Sequence, residues 1–172
     1  MSAQQESDQR WLDDREQHAW RGFLTMQTRL LGRLNRSLSA ECAMSDGDYA
    51  VLVSLSEAPD SRVRAFELAR DMLWEKSRLS HQLTRMERRG LVKREECPSD
   101  ARGAFIVLTD LGRTAIHAAA PHHVADVRRW FIDVLTPEQL DAMSGIVDSV
   151  LIALDEPPMP TTCPGETECT GA

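Results

Sequence analysis

The sequence predicts a mainly α-helical chain that carries one small β-hairpin. Three observations predict it. Apolar residues recur at three- and four-residue steps, most clearly Trp20, Phe23, Leu24, Leu30, Leu31 and Leu34, and that period marks helices with one buried face. Helix start and stop signals recur, at Ser45, Pro59, Gly90, Thr109 and Thr136. Two runs, Leu91 to Glu96 and Ala104 to Leu108, read as strands flanking a turn that holds Asp100-Ala-Arg-Gly103. A basic helix followed by a basic-tipped hairpin is the layout of a winged helix-turn-helix. In that layout the helix enters a DNA major groove and the hairpin tip reaches the neighbouring minor groove.

Each element has its own justification. Residues 1–9 are polar and mixed in charge, and read as a disordered tail. A long helix follows, from Arg10 to Ser37, with one apolar face buried; its length at a terminus predicts that it lies on a partner chain. Ser45-x-x-Asp48 has the pattern of a capping box and opens a helix through Glu57, which Ala58-Pro59-Asp60 stops. A short helix spans Arg64 to Met72, with no capping residue at its start. The basic helix runs from Glu75 to Arg89 and ends at Gly90. Thr109 caps a helix over Asp110 to Leu135. Pro121 inside it removes a backbone bond and clashes with the preceding turn, which predicts a kink or a break. Thr136-Pro-Glu-Gln139 combines a cap, a proline at the first helical position and a glutamine at the third, and starts a last helix that reaches Asp155. Residues 156–172 are rich in Pro, Thr, Glu and Gly and read as a disordered acidic tail.

Composition narrows the class. The 172 residues are 42% hydrophobic, enough for one domain with a sizeable core. No run approaches the ~20 apolar residues of a membrane span, and Met1 to Arg10 is not a signal peptide. The expectation is a soluble cytoplasmic protein with no membrane partner. Cys42, Cys97, Cys163 and Cys169 match no C-x-x-C motif, and the expected compartment argues against structural disulfides. The net charge is −7, but it is unevenly spread. Between Arg62 and Arg102 there are eleven Lys/Arg against seven Asp/Glu, a local balance of +4, whereas residues 155–172 carry four acids and no base. A basic patch on an acidic body is still an electrostatic footprint for nucleic acid.

Along the basic helix, Leu79, Leu83 and Met86 form a narrow apolar stripe that faces the core. Ser77, His81, Thr84, Arg85 and Arg88 lie on the other side, flanked by Arg78. Arginine suits guanine, glutamine suits adenine, and hydroxyls suit base edges or phosphates. The plain alternative is an ordinary solvated face; the hairpin tips the balance. Asp100 pairs with a nearby arginine, Arg94, and braces the turn. Gly103 permits the reversal, and Arg102 projects toward a narrow minor groove with its enhanced negative potential. Asp100 and Arg102 pairing only with each other is the competing reading.

Glu67-Leu-Ala69, Ser77-Arg-Leu-Ser80, Met86-Glu-Arg-Arg-Gly-Leu-Val92, Asp100-Ala-Arg-Gly103 and Leu108-Thr109 with Gly112 together resemble the MarR family of transcription regulators, over roughly Trp20 to Leu154. The resemblance implies a winged helix-turn-helix homodimer. Residues 45–109 form the DNA-binding part of a single unit over 10–155; residues 10–44 and 110–155 supply the dimerisation helices. It implies a sequence-specific repressor on a pseudo-palindromic operator in double-stranded DNA, with Ser77, Arg78, His81, Gln82, Arg85 and Arg102 at the DNA and Arg94, Asp100 and Gly103 supporting the wing. It also implies release by a small, often aromatic and anionic effector, with no cofactor. His18, Trp20, Phe23 and Asp71 are candidate lining residues, although Trp20 and Phe23 read first as core. Trp74 and Pro121 depart from the family pattern.

Other constellations point elsewhere. His117, His122, His123 and Asp126 cluster around Pro121; a polar helix surface accounts for them better than a metal site. Cys97 lies near arginines that favour a thiolate, which would make a redox-sensing regulator; an inert thiol is the simpler reading, and Cys42 offers no comparable signal. No Walker, Rossmann, G-x-S-x-G or H-E-x-x-H pattern appears, so no enzyme is expected. A dimeric interaction module without nucleic acid would have no use for Arg102 or for hydroxyls along the basic helix.

Overall fold

The computed structural model describes residues 10–97 and 100–155. The elements are α1 (Asp14–Cys42), α2 (Asp46–Glu57), a 3-10 turn (Pro59–Ser61), β1 (Arg62–Arg64), α3 (Ala65–Asp71), α4 (Lys76–Arg88), β2 (Val92–Cys97), β3 (Asp100–Leu108), α5 (Asp110–Trp130), a second 3-10 turn (Ile132–Val134) and α6 (Pro137–Asp155). The strands form one antiparallel sheet in the order β1-β3-β2. The mainly helical fold with a small wing is the one the sequence predicts. Chain contacts divide the molecule into two units, one ending at Phe131 and one beginning at Ile132. The terminal tails predicted over 1–9 and 156–172 lie outside the described residues.

Local chemistry sets the helix boundaries. α1 starts at Asp14 rather than Arg10 because Asp13 and Glu16 form a capping box: the Glu16 amide donates to Asp13 at 2.8 Å and the Asp13 amide to Glu16 at 2.9 Å. It runs on past Ser37 to Cys42, where Ala43 turns left-handed at φ 49°. Ser45 and Asp48 cap α2 reciprocally, at 3.0 and 3.1 Å. In the second unit, Thr136 and Gln139 do the same for α6, at 2.9 and 3.3 Å. Gly90 ends the α4 segment at φ 71°, a conformation that costs a residue with a Cβ.

Three expectations need correction. Arg64, expected to open the short helix, instead closes a strand, Arg62–Arg64, paired with Val107, Ile106 and Phe105 of β3. Of the kink or break expected at Pro121, the break is absent: α5 runs on through the proline. Packing accounts for this: Ile116 and Ala119 before the proline are buried, and after it the His123 ring lies 4.4 Å from Tyr49, so both sides are held despite the lost backbone bond. Finally, Asp100–Gly103 belongs to strand β3 instead of a turn. Glu96 pairs with Ala104 but Cys97 pairs with Asp100, so residues 101–103 bulge opposite a single step of β2.

The core of the first unit sits where α2, α3, α4, the sheet and α5 meet. Val51, Leu52, Leu55, Leu68, Met86 and Ile106 are fully buried, with Leu79, Leu83, Leu91, Leu108 and Ile116 around them. α1 contributes only Leu34 and Leu38 to the buried set. Trp20 and Phe23 were expected in this core; they remain 52% and 48% exposed, and Leu24 and Leu31 are exposed with them. The apolar face of α1 is real, but over its first half the described residues of this unit leave it exposed.

Thr109 locks the wing to α5. Its hydroxyl reaches the Gly90 and Leu91 carbonyls at 2.6 and 3.0 Å and accepts from the Gly112 amide at 3.0 Å. The approach is close: a Cβ on Gly112 would sit 2.1 Å from the Leu91 carbonyl oxygen. Gly112→Ala should therefore destabilise by at least the ~1–3 kcal/mol typical of overpacking. Urea unfolding measures it; an unchanged midpoint would show that the α4–β2 junction yields freely.

Candidate nucleic-acid interface

α4 turns Leu79, Leu83 and Met86 inward. Ser77, Arg78, His81, Arg85 and Arg88 are exposed. Arg78 and Arg85 are seven residues apart, about 10.5 Å along the axis at the helical rise, and share a face. The helix thus offers three guanidiniums, an imidazole and a hydroxyl along one accessible side.

Gln82 does not belong to that side. It is 4% exposed. Its position explains this: roughly 60° round the helix from Leu79, it falls at the margin of the apolar stripe. Its amide donates to the Asp48 carboxylate at 2.7 Å and accepts from Arg85. The expectation that Gln82 meets DNA is corrected accordingly, since both ends of the amide are engaged inside the protein.

Asp48 is the hub of a polar cluster the sequence reading treated only as a helix cap. It is 3% exposed. The Ser45 amide, Gln82 and Arg89 donate to it at 3.0, 2.7 and 2.7 Å. Arg89 also donates to the Ala43 carbonyl at 2.8 Å. One carboxylate therefore joins the start of α2 to the middle and the end of α4 and, through Arg89, to the end of α1. Burial acts to raise its pKa, but the Ser45 amide, the Arg89 guanidinium and the Ser45 hydroxyl outweigh it and hold the carboxyl below its usual range. The signal available in sequence was an aspartate at the third helical position with Gln82 and Arg89 on one flank of α4. Gly47 completes the packing: a Cβ there would come within 3.2 Å of both the Gln82 amide and the Trp74 ring. Trp74 in turn lies under Arg78, whose guanidinium is 4.2 Å from the ring centroid.

At the wing, Arg94 is directed toward α4. It pairs with Glu87 at 3.3 Å and reaches the Ser80 carbonyl at 3.4 Å, tying β2 to α4. Arg62 stacks over Phe105 at 4.0 Å and Lys93 pairs with Glu95 at 2.9 Å. Arg102 and Gly103 lie in the bulge of β3, and Asp100 opens that strand; the side chains of Asp100 and Arg102 are outside the described residues.

The candidate effector residues do not converge in this chain. His18 lines an open groove on α1 with Arg21 and Arg29. Asp71 lines another with Tyr49, Val53, Glu57 and Val63. Trp20 and Phe23 stack on each other, 6.0 Å between ring centroids. Burial, then Glu41 and Asp126, raises the Cys42 pKa, so its thiol is not activated; the Cys97 side chain is outside the described residues. Burial lowers the His123 pKa against the opposing Asp126, and its ring lies 4.4 Å from that of Tyr49.

Comparison with known proteins places this geometry. Residues 44–103 match the model of the MarR family. The chain is 32% identical over 106 residues to the transcriptional regulator HosA of Escherichia coli O111:H-, covering 61% of this chain and 76% of that protein. It is similar to the crystal structure of AbsC, a MarR family transcriptional regulator from Streptomyces coelicolor, with TM-score 0.80 and 45% identity over 85% of this chain and 98% of that one. It is also similar to Sco3205 from the same organism, a MarR family transcriptional regulator solved in complex with DNA, with TM-score 0.83 and 40% identity over 88% of this chain and 94% of that one.

The Asp48 cluster has a pH signature. A carboxyl with a lowered folded pKa contributes stability above its unfolded value of about 3.9, and loses it as pH falls through the folded value. Asp48→Asn should be clearly less stable than the parent at pH 7, and the gap should narrow as pH drops below about 4. Paired urea titrations at pH 7 and 3 check this; a gap independent of pH would mean the carboxylate charge is immaterial.

Proposed function

Because the chain belongs to the MarR family of transcriptional regulators, we propose that it is a homodimer that occupies a pseudo-palindromic operator and represses transcription until a small ligand releases it. The exposed row on α4 carries this reading. Arg78 and Arg85 have the planar fork that fits guanine O6 and N7, while Ser77 and His81 fit base edges or phosphates. Arg102, on the bulge of β3, is the minor-groove arginine, with Asp100 and Gly103 shaping the strand and Arg94 fastening the wing to α4. The Sco3205 complex with DNA supports the assignment of this fold to duplex binding.

Apolar faces left exposed among the described residues support the dimer. α1 exposes Trp20, Phe23, Leu24 and Leu31; α6 exposes Ile146, Val150, Leu151 and Leu154. Rows of large apolar side chains on helices mark association surfaces, and burial is worth about 25 cal/mol per Å². The effector needs only to bind a dimer geometry better than the DNA-bound one. For an anionic aromatic ligand, the α1 groove with His18, Arg21 and Arg29 is favoured; Asp71 beside Glu57 would repel it. Repression requires nothing beyond occupancy of a promoter.

Selection from random duplex DNA should return a pseudo-palindrome with half-sites about 10–11 bp apart; an asymmetric single site would contradict the dimer. Arg102→Ala should weaken binding to that duplex and reduce the salt slope by about one phosphate equivalent. Unchanged affinity and slope would remove Arg102 from the interface.

A further inference from the structure

We infer that Gln82 and Asp48 are positioning residues that aim Arg85 at its base, so that the sequence preference set by Arg85 depends on an internal hydrogen-bond relay with a fixed direction. This rests on the assignment of α4 to DNA.

The direction comes from elementary donor and acceptor chemistry. An ionised carboxylate only accepts, so Asp48 takes the amino end of the Gln82 amide. The carbonyl end is thereby forced outward, where it can only accept, and Arg85 donates to it. The carboxylate is itself held by the Ser45 amide and Arg89, the latter anchored on the Ala43 carbonyl. Gly47 lets the amide sit this close to α2, since a Cβ there would come within 3.2 Å of both the amide carbon and the amide oxygen. Arg85, otherwise a long exposed side chain with many rotamers, is tethered before DNA arrives. Pre-ordering of that kind lowers the ordering cost of binding and narrows the geometry in which a guanidinium can meet a base.

The relay can be broken and rebuilt. Asp48→Asn lets the amide reverse and turn its amino end toward the guanidinium, donor against donor. Gln82→Leu keeps the volume among apolar neighbours but removes both bonds. In the double variant Asp48→Asn with Gln82→Glu, the new amide donates to the new carboxylate, which again presents an acceptor to Arg85. The probe is the duplex selected by the intact protein, plus a set with each base pair replaced, together with a random duplex; thermal melting confirms that each variant folds.

Arg85→Ala should lose roughly tenfold discrimination or more at one base pair of each half-site. Gln82→Leu should lose most of the same discrimination at the same base pair while keeping its affinity for random duplex within about twofold. Removing Gln82 in the Arg85→Ala background should cost nothing further there. The double variant should recover discrimination relative to Asp48→Asn alone, which a role in packing would not predict. Full discrimination at that base pair in Gln82→Leu, or an equal loss on every duplex, overturns the inference while leaving DNA binding by α4 intact. Unaltered discrimination in Arg85→Ala would instead sink the assignment of Arg85 to a base, and the inference with it.

Discussion

A carboxylate removed from water destabilises a protein unless every lone pair finds a donor, and Asp48 is such a carboxylate. It closes the cap of α2, receives Arg89 from the end of α4 and Gln82 from its middle, and through Arg89 reaches the last turn of α1. The hydrophobic core decides that α4 packs on α2; it does not by itself decide the rotation of α4 about its axis, because Leu79, Leu83 and Met86 would tolerate small turns. The directional bonds to Asp48 remove that freedom. The orientation of the exposed row of α4, and so what it can touch, follows from them.

A second constraint comes from what the chain leaves unfinished. α1 is 29 residues long, yet its buried positions within the chain are Leu34 and Leu38. Its C-terminal third is anchored, while Trp20 and Phe23 in its first half stay exposed among the described residues, which is what the proposed dimer would use. The Ala43 carbonyl accepts from Arg89 at the end of that same helix. In the proposed dimer a shift of α1 would therefore be felt at α4 through a short polar path, the route by which the proposed ligand would reach the exposed row of α4.

Much of this was legible in sequence, for physical reasons. Capping boxes at Ser45 and Thr136, the cap at Thr109 and the stop at Gly90 are local chemistry, and the structure carries all of them. Residues 77, 78, 81 and 85 are exposed as the helical period requires. The failures are tertiary. β1 is three residues long and exists because β3 offers an edge. Pro121 is tolerated because packing grips both sides of it. Trp20 and Phe23 have the period of core residues, and a period cannot say whether the covering surface lies in the same chain. Gln82 misled because an amide suits adenine as well as it suits a buried carboxylate; only Asp48, thirty-four residues earlier, distinguishes the two.

The most direct examination of this account is an experimental structure of the dimer on its selected duplex. The account requires α4 in the major groove, the Arg85 guanidinium on a base edge and the Gln82 amide still joined to Asp48. Gln82 swung out onto a base with Asp48 released, or α4 turned away from the duplex, would contradict it.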